Sequence, residues 1–211
     1  MLPFTLAGVR RVVLFGAHPD DIEIGAGGLL LGLAAVVPGL DVRYVLLSGM
    51  PERQAEARAA AAAFLPDARI EFVLHDLPDG RAPAHWERAK AAVQAAAADG
   101  ADLVVAPARD DAHQDHRLLA ELVPTAFRDA VVLHYEIPKW DGDLGRRNVY
   151  VPLPDERARR KVELLHANFP SQKGRDWWDD EVFLGLARLR GMECRSRYAE
   201  AYTCEKAVMS L

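Results

Sequence analysis

Two short polar segments of this sequence combine histidine with aspartate: residues 17–21 (AHPDD) and residues 110–116 (DDAHQDH). Imidazole nitrogens and carboxylate oxygens are common zinc ligands, and a catalytic zinc takes three protein ligands and keeps a fourth position for water. The spacing of His18 and Asp21 lets both side chains point the same way around one turn. Of the seven histidines in the chain, three fall within these two segments. Two histidines and one carboxylate from the two segments are enough for a hydrolytic metal site.

Each polar segment follows an apolar run that predicts a buried β-strand. Such runs alternate with alanine-rich, helix-favouring stretches, which is typical of βαβ units with a parallel sheet. We therefore predict an α/β, Rossmann-like fold with a mainly parallel sheet, helices on both faces and a C-terminal extension. The predicted strands are residues 12–17, 42–48, 69–74, 103–106, 131–135 and 149–151. The predicted helices are residues 25–37, 51–65, 86–98, 116–127, 154–168 and 183–190.

The strand order determines whether the two polar segments meet. In an open parallel sheet, ligands bind beyond the carboxyl ends of the strands, at the point where the winding direction reverses. If the first and fourth strands are neighbours across that point, residues 17–21 and 110–116 face each other. Taken singly, the first segment is also explained by acids that favour a helix N-terminus, and the second by a surface cap. Because both segments follow buried strands, a metal site is the favoured interpretation.

The longest apolar stretch, residues 24–40, contains five glycines and one proline. A membrane span needs about 20 predominantly apolar residues, so this stretch predicts a buried helix instead. Its opening glycines, residues 25–28 (GAGG), lack the G-x-G-x-x-G spacing of dinucleotide sites. We therefore expect them to serve close helix–sheet packing rather than phosphate binding.

Composition indicates an acidic globular protein. The 211 residues are 50% hydrophobic and 27% charged, with a net charge of −5, which suits one domain over residues 1–211. The charge does not favour binding to nucleic acid or to an anionic membrane, because both require clustered Lys and Arg. Residues 1–8 lack the pattern of a signal peptide, and the two cysteines, Cys194 and Cys204, match no disulfide framework and no CxxC site. We expect a cytoplasmic protein.

The sequence also resembles a known family. Residues 17–28 (AHPDDIEIGAGG) and 113–117 (HQDHR) are similar to the two signature motifs of the LmbE-like (PIG-L) zinc-dependent N-acetylglucosamine deacetylases. Arg53-x-x-Glu56 is similar to a further segment of that family, and residues 171–172 (SQ) and 198–202 (YAEAY) resemble its weaker C-terminal motifs. The resemblance extends from about Val12 to about Tyr202.

The resemblance implies a role for each residue that matches the motifs. His18, Asp21 and His116 match the metal ligands of the family, Asp20 its general base, and His113 a second catalytic group near the carbonyl oxygen. Asp115 is placed to orient an imidazole. The sequence alone leaves open whether Asp20 and Asp21 exchange roles, and whether iron replaces zinc, since histidine and carboxylate ligands suit both metals. The implied products are acetate and a free amino sugar, from a small-molecule conjugate.

The sequence says less about the residues that contact the substrate. Arg53 is a candidate for binding a substrate hydroxyl or phosphate, with pairing to Glu56 as the alternative, and Arg109 has the same ambiguity. Trp177, beside Trp178 in a polar loop, is a candidate for stacking on a sugar, whereas a lid or a subunit contact in a homo-oligomer is the alternative. Two other functions remain open: hydrolysis of another small amide or ester, and non-catalytic sugar binding.

Overall fold

The computed structural model describes residues 5–6 and 8–208, so the expectation about a signal peptide in residues 1–8 falls largely outside it. Strands and helices alternate over the first two thirds of the chain, as predicted. The strands are β1 (Arg11–Gly16), β2 (Asp41–Ser48), β3 (Arg69–Leu77), β4 (Leu103–Pro107), β5 (Val131–Tyr135), β6 (Val149–Leu153) and β7 (Tyr198–Cys204). The helices are α1 (Asp21–Val36), α2 (Pro51–Phe64), α3 (Trp86–Ala96), α4 (Gln114–Ala126), α5 (Asp155–Asn168) and α6 (Asp180–Glu193).

The strands form one seven-stranded sheet in the order β3-β2-β1-β4-β5-β7-β6. The first five strands are parallel, and β1 pairs directly with β4 through Val12 with Leu103 and Leu14 with Val105. The winding direction therefore reverses between β1 and β4, which confirms the predicted α/β fold with a mainly parallel sheet. β7 was not predicted as a strand; it inserts antiparallel between β5 and β6.

Helices cover both faces of the sheet because the central strands are apolar on both sides. Val12 and Leu14 of β1 point into a core shared with α1, α2 and α5. Val13 and Phe15 of the same strand point into a second core shared with α3 and α4. Such two-sided burial fixes the register of the strand, because a slip by one residue would exchange the two faces.

The first helix begins earlier than predicted. α1 begins at Asp21 rather than at Gly25, because Asp21 and Glu23 occupy its first turn, where the helix dipole favours acids. The glycines therefore lie inside the helix. A Cβ added at Gly25 would lie 2.5 Å from Cγ of Tyr135, and one added at Gly28 would lie 2.6 Å from Cδ1 of Leu153. These contacts support close packing of α1 on the sheet, as expected for the GAGG segment.

Other boundaries differ by a few residues. The fourth helix, predicted over residues 116–127, extends from Gln114 to Ala126, and Pro124 lies inside it. The sixth helix, predicted over residues 183–190, begins earlier, at Asp180, because the side chain of Asp179 accepts a hydrogen bond from Glu181 N and caps the helix. Within the described ranges, we find no helix that combines the length and the apolar composition that a membrane crossing requires.

Candidate metal centre

The two polar segments meet at the carboxyl ends of β1 and β4. Residues 17–20 connect β1 to α1, and residues 108–113 connect β4 to α4. Because these strands are neighbours, the two connections lie side by side at the point where the winding direction reverses. Asp21 stands at the first position of α1, and His116 lies in the first turn of α4.

Three candidate ligand atoms converge at this point. His18 Nδ1 lies 3.2 Å from His116 Nε2, and Asp21 Oδ2 lies 3.3 Å from His116 Nε2 and 3.5 Å from His18 Nδ1. An ion held tetrahedrally at about 2.1 Å from each ligand separates its ligands by about 3.4 Å. All three residues are buried. The donor set and its spacing therefore fit a divalent cation such as zinc.

A carboxylate faces the far nitrogen of each histidine. His116 Nδ1 lies 2.8 Å from Asp111 Oδ2, and Asp111 is buried. His18 Nε2 lies 3.0 Å from Asp79 Oδ1 and 3.3 Å from Asp115 Oδ2. With an ion in the site, carboxylates in this position would keep the proton on the far nitrogen and leave the lone pair of the near nitrogen for the ion. The contact of Asp111 with His116 has hydrogen-bond geometry, whereas the contacts of His18 Nε2 do not.

The electrostatics of the convergence attract positive charge. Burial disfavours the charged form of His116, but Asp21 and Asp111 outweigh it and raise the pKa of His116 to about 9. The same balance, between burial and the carboxylates of Asp21, Asp115 and Asp79, raises the pKa of His18 to about 12. Burial opposes ionisation of Asp21, yet the two imidazoles hold its pKa well below its usual range. The cluster is stable with positive charge at its centre, supplied by protons or by a cation.

Asp20 is held apart from this triangle. Its backbone has a φ of 134°, a region that residues other than glycine rarely adopt. The Asp20 Oδ2 atom accepts a hydrogen bond of 2.8 Å from Arg53 Nη2, which also donates to Pro19 O at 2.7 Å. Burial raises the pKa of Asp20 to about 7, although Arg53 opposes the rise. Strain of this kind is costly and clusters at functional sites. The geometry therefore favours Asp21 as the ligand and leaves Asp20 free for another role.

His113 completes the cluster. Its ring centroid lies 4.7 Å from that of His18 and 4.8 Å from that of His116. Its Nδ1 accepts a hydrogen bond of 3.2 Å from Asp115 N, which caps α4, so its Nε2 carries the proton in the neutral ring. Burial and the neighbouring imidazoles lower the pKa of His113. His113 is half-buried, so part of the residue is accessible to solvent.

His113 also belongs to two alternative ligand groups. One joins it to His18 and His116, and the other to His18, Asp79 and Asp115, each with donor atoms within 4.8 Å of one another. The three separations among His18, Asp21 and His116 match those of a tetrahedral ion. In addition, His18 N donates to Asp21 Oδ2 at 2.8 Å, which fixes that carboxylate before any cation arrives. We therefore assign His113 to the rim of the site.

The Asp115 carboxylate lies beside the imidazole of His18 rather than beside that of His113, its neighbour in sequence. Its carboxylate accepts hydrogen bonds from Gly80 N at 2.9 Å and Ala82 N at 3.0 Å, and Oδ2 faces His18. Asp115 therefore anchors the loop after β3 beside the candidate ligand His18. Asp79 on this loop is mostly exposed. It was not identified from the sequence, because its contact with His18 joins residues that are distant in sequence and leaves no local pattern.

The candidate substrate residues separate in the structure. Arg53 contacts Asp20, whereas Arg109 pairs with Glu205 and stands outside the hydrogen-bond network of the cluster. Trp177 is half-buried and packs edge to face on Trp140, with ring centroids 5.8 Å apart. These two tryptophans line a mainly apolar groove of about 270 Å³ between residues 138–144 and α6.

Trp178 was wrongly interpreted as a feature of the polar loop. It is buried, and it packs against Phe169 and Phe183 in the core beneath α5 and α6. The sequence hides this because the two tryptophans are flanked by Asp176 and Asp179, whereas the partners of Trp178 come from elsewhere in the chain. Only Trp177 of the pair remains a candidate for contact with a ligand or a subunit.

A mainly parallel sheet with a histidine–carboxylate cluster at its switch point defines an α/β protein whose cluster could hold a metal ion. A family model described as PIG-L, GlcNAc-PI de-N-acetylase, matches residues 13–127, more than half of the chain and both polar segments. The chain therefore belongs to the PIG-L family. This assignment supports a hydrolytic deacetylase.

Solved structures share the fold over nearly the whole chain. The conserved protein TT1542 from Thermus thermophilus is 22% identical, with a TM-score of 0.72 over 96% of this chain and 97% of that one. The N,N'-diacetylchitobiose deacetylase from Pyrococcus horikoshii is 18% identical, with a TM-score of 0.70 over 95% and 87%. GalB, the 4-carboxy-2-hydroxymuconate hydratase from Pseudomonas putida, is 17% identical, with a TM-score of 0.72 over 96% and 98%. One fold thus carries different reactions, and the reaction has to be argued from the site.

Proposed function

We propose that this protein is a metal-dependent N-deacetylase that releases acetate from an N-acetylglucosamine-type moiety of a small conjugate. The observation that carries the proposal is the triangle of His18, Asp21 and His116, with a buried carboxylate beside it that is not part of the triangle. A binding module has no use for an additional buried acid, Asp20, held in a strained conformation next to a cation. Family membership supports the amide as the bond that is hydrolysed.

The three ligands would hold zinc, with iron as the alternative. When bound, such a cation supplies Lewis acidity to an amide carbonyl and to a water molecule. Asp111 and the Asp79–Asp115 pair keep the two imidazoles in the ligating tautomer. His18 N holds the Asp21 carboxylate in place.

The remaining residues move protons. Asp20 takes a proton from the attacking water, whose oxygen adds to the carbonyl carbon of the acetamide. The Nε2–H group of the neutral His113 ring stabilises the developing negative charge on the carbonyl oxygen, and the proton that Asp20 received passes to the leaving nitrogen as the C–N bond breaks. Acetate and a free amine result. Arg53 holds the Asp20 carboxylate at 2.8 Å, so that the general base is oriented before substrate arrives.

The substrate is proposed to be a small amino-sugar conjugate in the cytoplasm. Arg53 and Arg109 are proposed to bind its hydroxyl or anionic groups, and Trp177 to pack on a ring or on an apolar substituent. The groove that Trp177 and Trp140 line supports a contact of this kind. Burial of the same groove between subunits of a homo-oligomer is the competing use of Trp177.

The experiment is an acetate-release screen over N-acetylglucosamine conjugates. The protein is stripped of metal, reconstituted with Zn²⁺ or Fe²⁺, and assayed beside a His116→Ala variant as the metal-free control. We expect acetate release that depends on metal and on His116. Metal-loaded protein that releases no acetate from any conjugate, but hydrolyses a simple ester or hydrates an unsaturated acid, would identify another reaction on the same site.

A further inference from the structure

Lys139 reaches the metal centre from the segment that follows β5. Its side chain is only 10% exposed, and its Nζ lies 3.0 Å from Asp111 Oδ1 and 3.1 Å from Asp143 Oδ2. Asp143 Oδ2 also accepts a hydrogen bond of 2.6 Å from Ala112 N. Lys139 and Asp143 therefore clamp the connection between β4 and α4 from the outside.

The Asp111 carboxylate receives three donors and has no freedom to rotate. Oδ1 accepts from His113 N at 2.7 Å and from Lys139 Nζ at 3.0 Å. Oδ2 faces His116 Nδ1 at 2.8 Å. One carboxylate thus connects a candidate ligand, His116, to the backbone of the candidate catalytic residue His113. The positive charge that neutralises this buried carboxylate is the ammonium group of Lys139, which lies in the segment after β5.

The segment that carries Lys139 also forms the rim of the apolar groove. Trp140, the next residue, donates from Nε1 to Asp176 Oδ1 at 2.8 Å and packs on Trp177. Of two consecutive residues, Lys139 therefore contacts Asp111, and Trp140 lines the proposed substrate groove. A displacement of this segment would be transmitted to Asp111 through a single buried ammonium group.

We propose that Lys139 is a positioning residue that orients the metal ligand His116 through Asp111. The inference rests on the metal centre of the proposed function. Removing Lys139 leaves the Asp111 carboxylate buried without its cation, so its contact with His116 Nδ1 loosens and the imidazole is less well aimed. Loss of an outer partner of a metal ligand typically lowers metal affinity about 10–100-fold. A lysine that acted only through its charge would have the opposite effect, because its removal would strengthen the attraction for a cation.

Lys161 offers a matched control. Its side chain is 12% exposed, similar to that of Lys139, and its Nζ lies 2.7 Å from Glu200 Oε1, so it forms one buried ion pair. It also donates to Ile24 O at 2.6 Å, on α1, and does not contact Asp111 or His116. Lys161→Met therefore removes a comparable ion pair without touching the support of the ligand.

The test measures the dissociation constants of Zn²⁺ and Co²⁺ by competition with a chelator, together with the Co²⁺ absorption spectrum. For Lys139→Met we expect about tenfold weaker metal binding and an altered Co²⁺ spectrum. For Lys139→Arg, which restores the charged donor, we expect less than a threefold change from the parent, on the order of measurement scatter. Lys161→Met is expected to lower thermal stability and leave metal binding unchanged.

Equal or tighter metal binding by Lys139→Met would overturn the inference, and so would an equal loss in Lys161→Met. If Lys139→Met fails to fold, Lys139→Gln takes its place, because it retains an N–H donor; weaker metal binding than the parent is again expected, and unchanged binding contradicts the proposal. Failure of the parent protein itself to bind metal would refute the proposed metal centre instead. The two failures are therefore distinguishable.

Discussion

Asp20 and Asp21, which follow β1, have different surroundings because the backbone directs their side chains toward different partners. Asp21 begins α1 and turns its carboxylate toward two imidazoles, while the φ of 134° at Asp20 turns the other carboxylate toward Arg53. Carboxylates that are alike in sequence therefore differ in chemistry: the imidazoles lower the pKa of Asp21, and burial raises that of Asp20. Separating the properties of two neighbouring acids is a common way to divide ligation from proton transfer.

Substitution of Asp20 by Asn tests this division. Asn retains an oxygen that can accept from Arg53 but has no basic carboxylate, so we expect acetate release to fall about 10²–10⁴-fold with bound metal retained. The matched variant Asp21→Asn weakens a ligand instead and is expected to lose metal and activity together. Metal content by atomic absorption, measured beside turnover, separates the two. Full activity in Asp20→Asn would remove Asp20 from the mechanism, and loss of metal from it would exchange the two assignments.

At the scale of elements, α1 has to lie very close to the sheet to bring Asp21 to the site. Gly25 faces the ring of Tyr135 on β5, whose hydroxyl donates to Phe15 O on β1 at 2.9 Å. Gly28 leaves room for Leu153 and for the Glu200 carboxylate, which accepts from Gly28 N at 2.6 Å. These glycines allow α1 to pack close to the sheet, and this packing determines where the first turn of α1, which carries Asp21, lies relative to the site.

Gly25→Ala is therefore expected to be destabilising. The added methyl group would overlap Tyr135, and overpacking of this kind costs about 1–3 kcal/mol of the free energy of unfolding. Gly185→Ala on α6 is the control, because nothing lies within 4 Å of the position of its Cβ. There we expect a gain of up to about 1 kcal/mol from helix propensity. Urea denaturation of both variants checks the pair; equal effects would show that contact at Gly25 is not limiting.

Much of this arrangement was predictable from local patterns, and the remainder was not, for identifiable reasons. Strands β1 and β4 are apolar runs whose burial on both faces leaves a clear signal, and the two polar segments follow these two strands. β7 was missed as a strand because its antiparallel place between β5 and β6 depends on partners distant in sequence. Asp111 stands in a polar segment, but its support of His116 depends on side-chain geometry. The burial of Trp178 depends on Phe169 and Phe183 in the same way.

At the scale of the whole molecule, the site joins parts of the chain that are distant in sequence. The candidate ligands are His18 in the loop after β1, Asp21 at the start of α1 and His116 at the start of α4. The carboxylates beside them are Asp79 in the loop after β3, Asp111 in the loop after β4 and Asp115 at the start of α4. The Glu56 carboxylate accepts hydrogen bonds from the backbone N–H of Ser171, at 2.8 Å, and from the Ser171 hydroxyl group. These bonds connect the C-terminal third of the chain to α2, the helix that carries Arg53. The roles of single residues thus depend on the folding of the entire sheet.

Binding of a cation is therefore expected to stabilise the whole fold. A ligand present at about 100 times its dissociation constant, bound only by the folded state, adds about 2.7 kcal/mol to the free energy of unfolding. We expect the Tm of the metal-free protein to rise by several degrees with Zn²⁺, and His116→Ala to show no such rise. Thermal scans with and without a chelator provide the measurement. An equal rise in His116→Ala would indicate that zinc binds elsewhere.

The most direct test of the central claim is the position of the metal in a crystal of the zinc-loaded protein. Anomalous scattering at the zinc edge locates the ion without any assumption about activity. We predict one strong peak between His18 Nδ1, His116 Nε2 and Asp21 Oδ2, at about 2.0–2.2 Å from each. A peak on the opposite side of His18, between Asp79 and Asp115, or the absence of a peak from the triangle, would contradict the assignment.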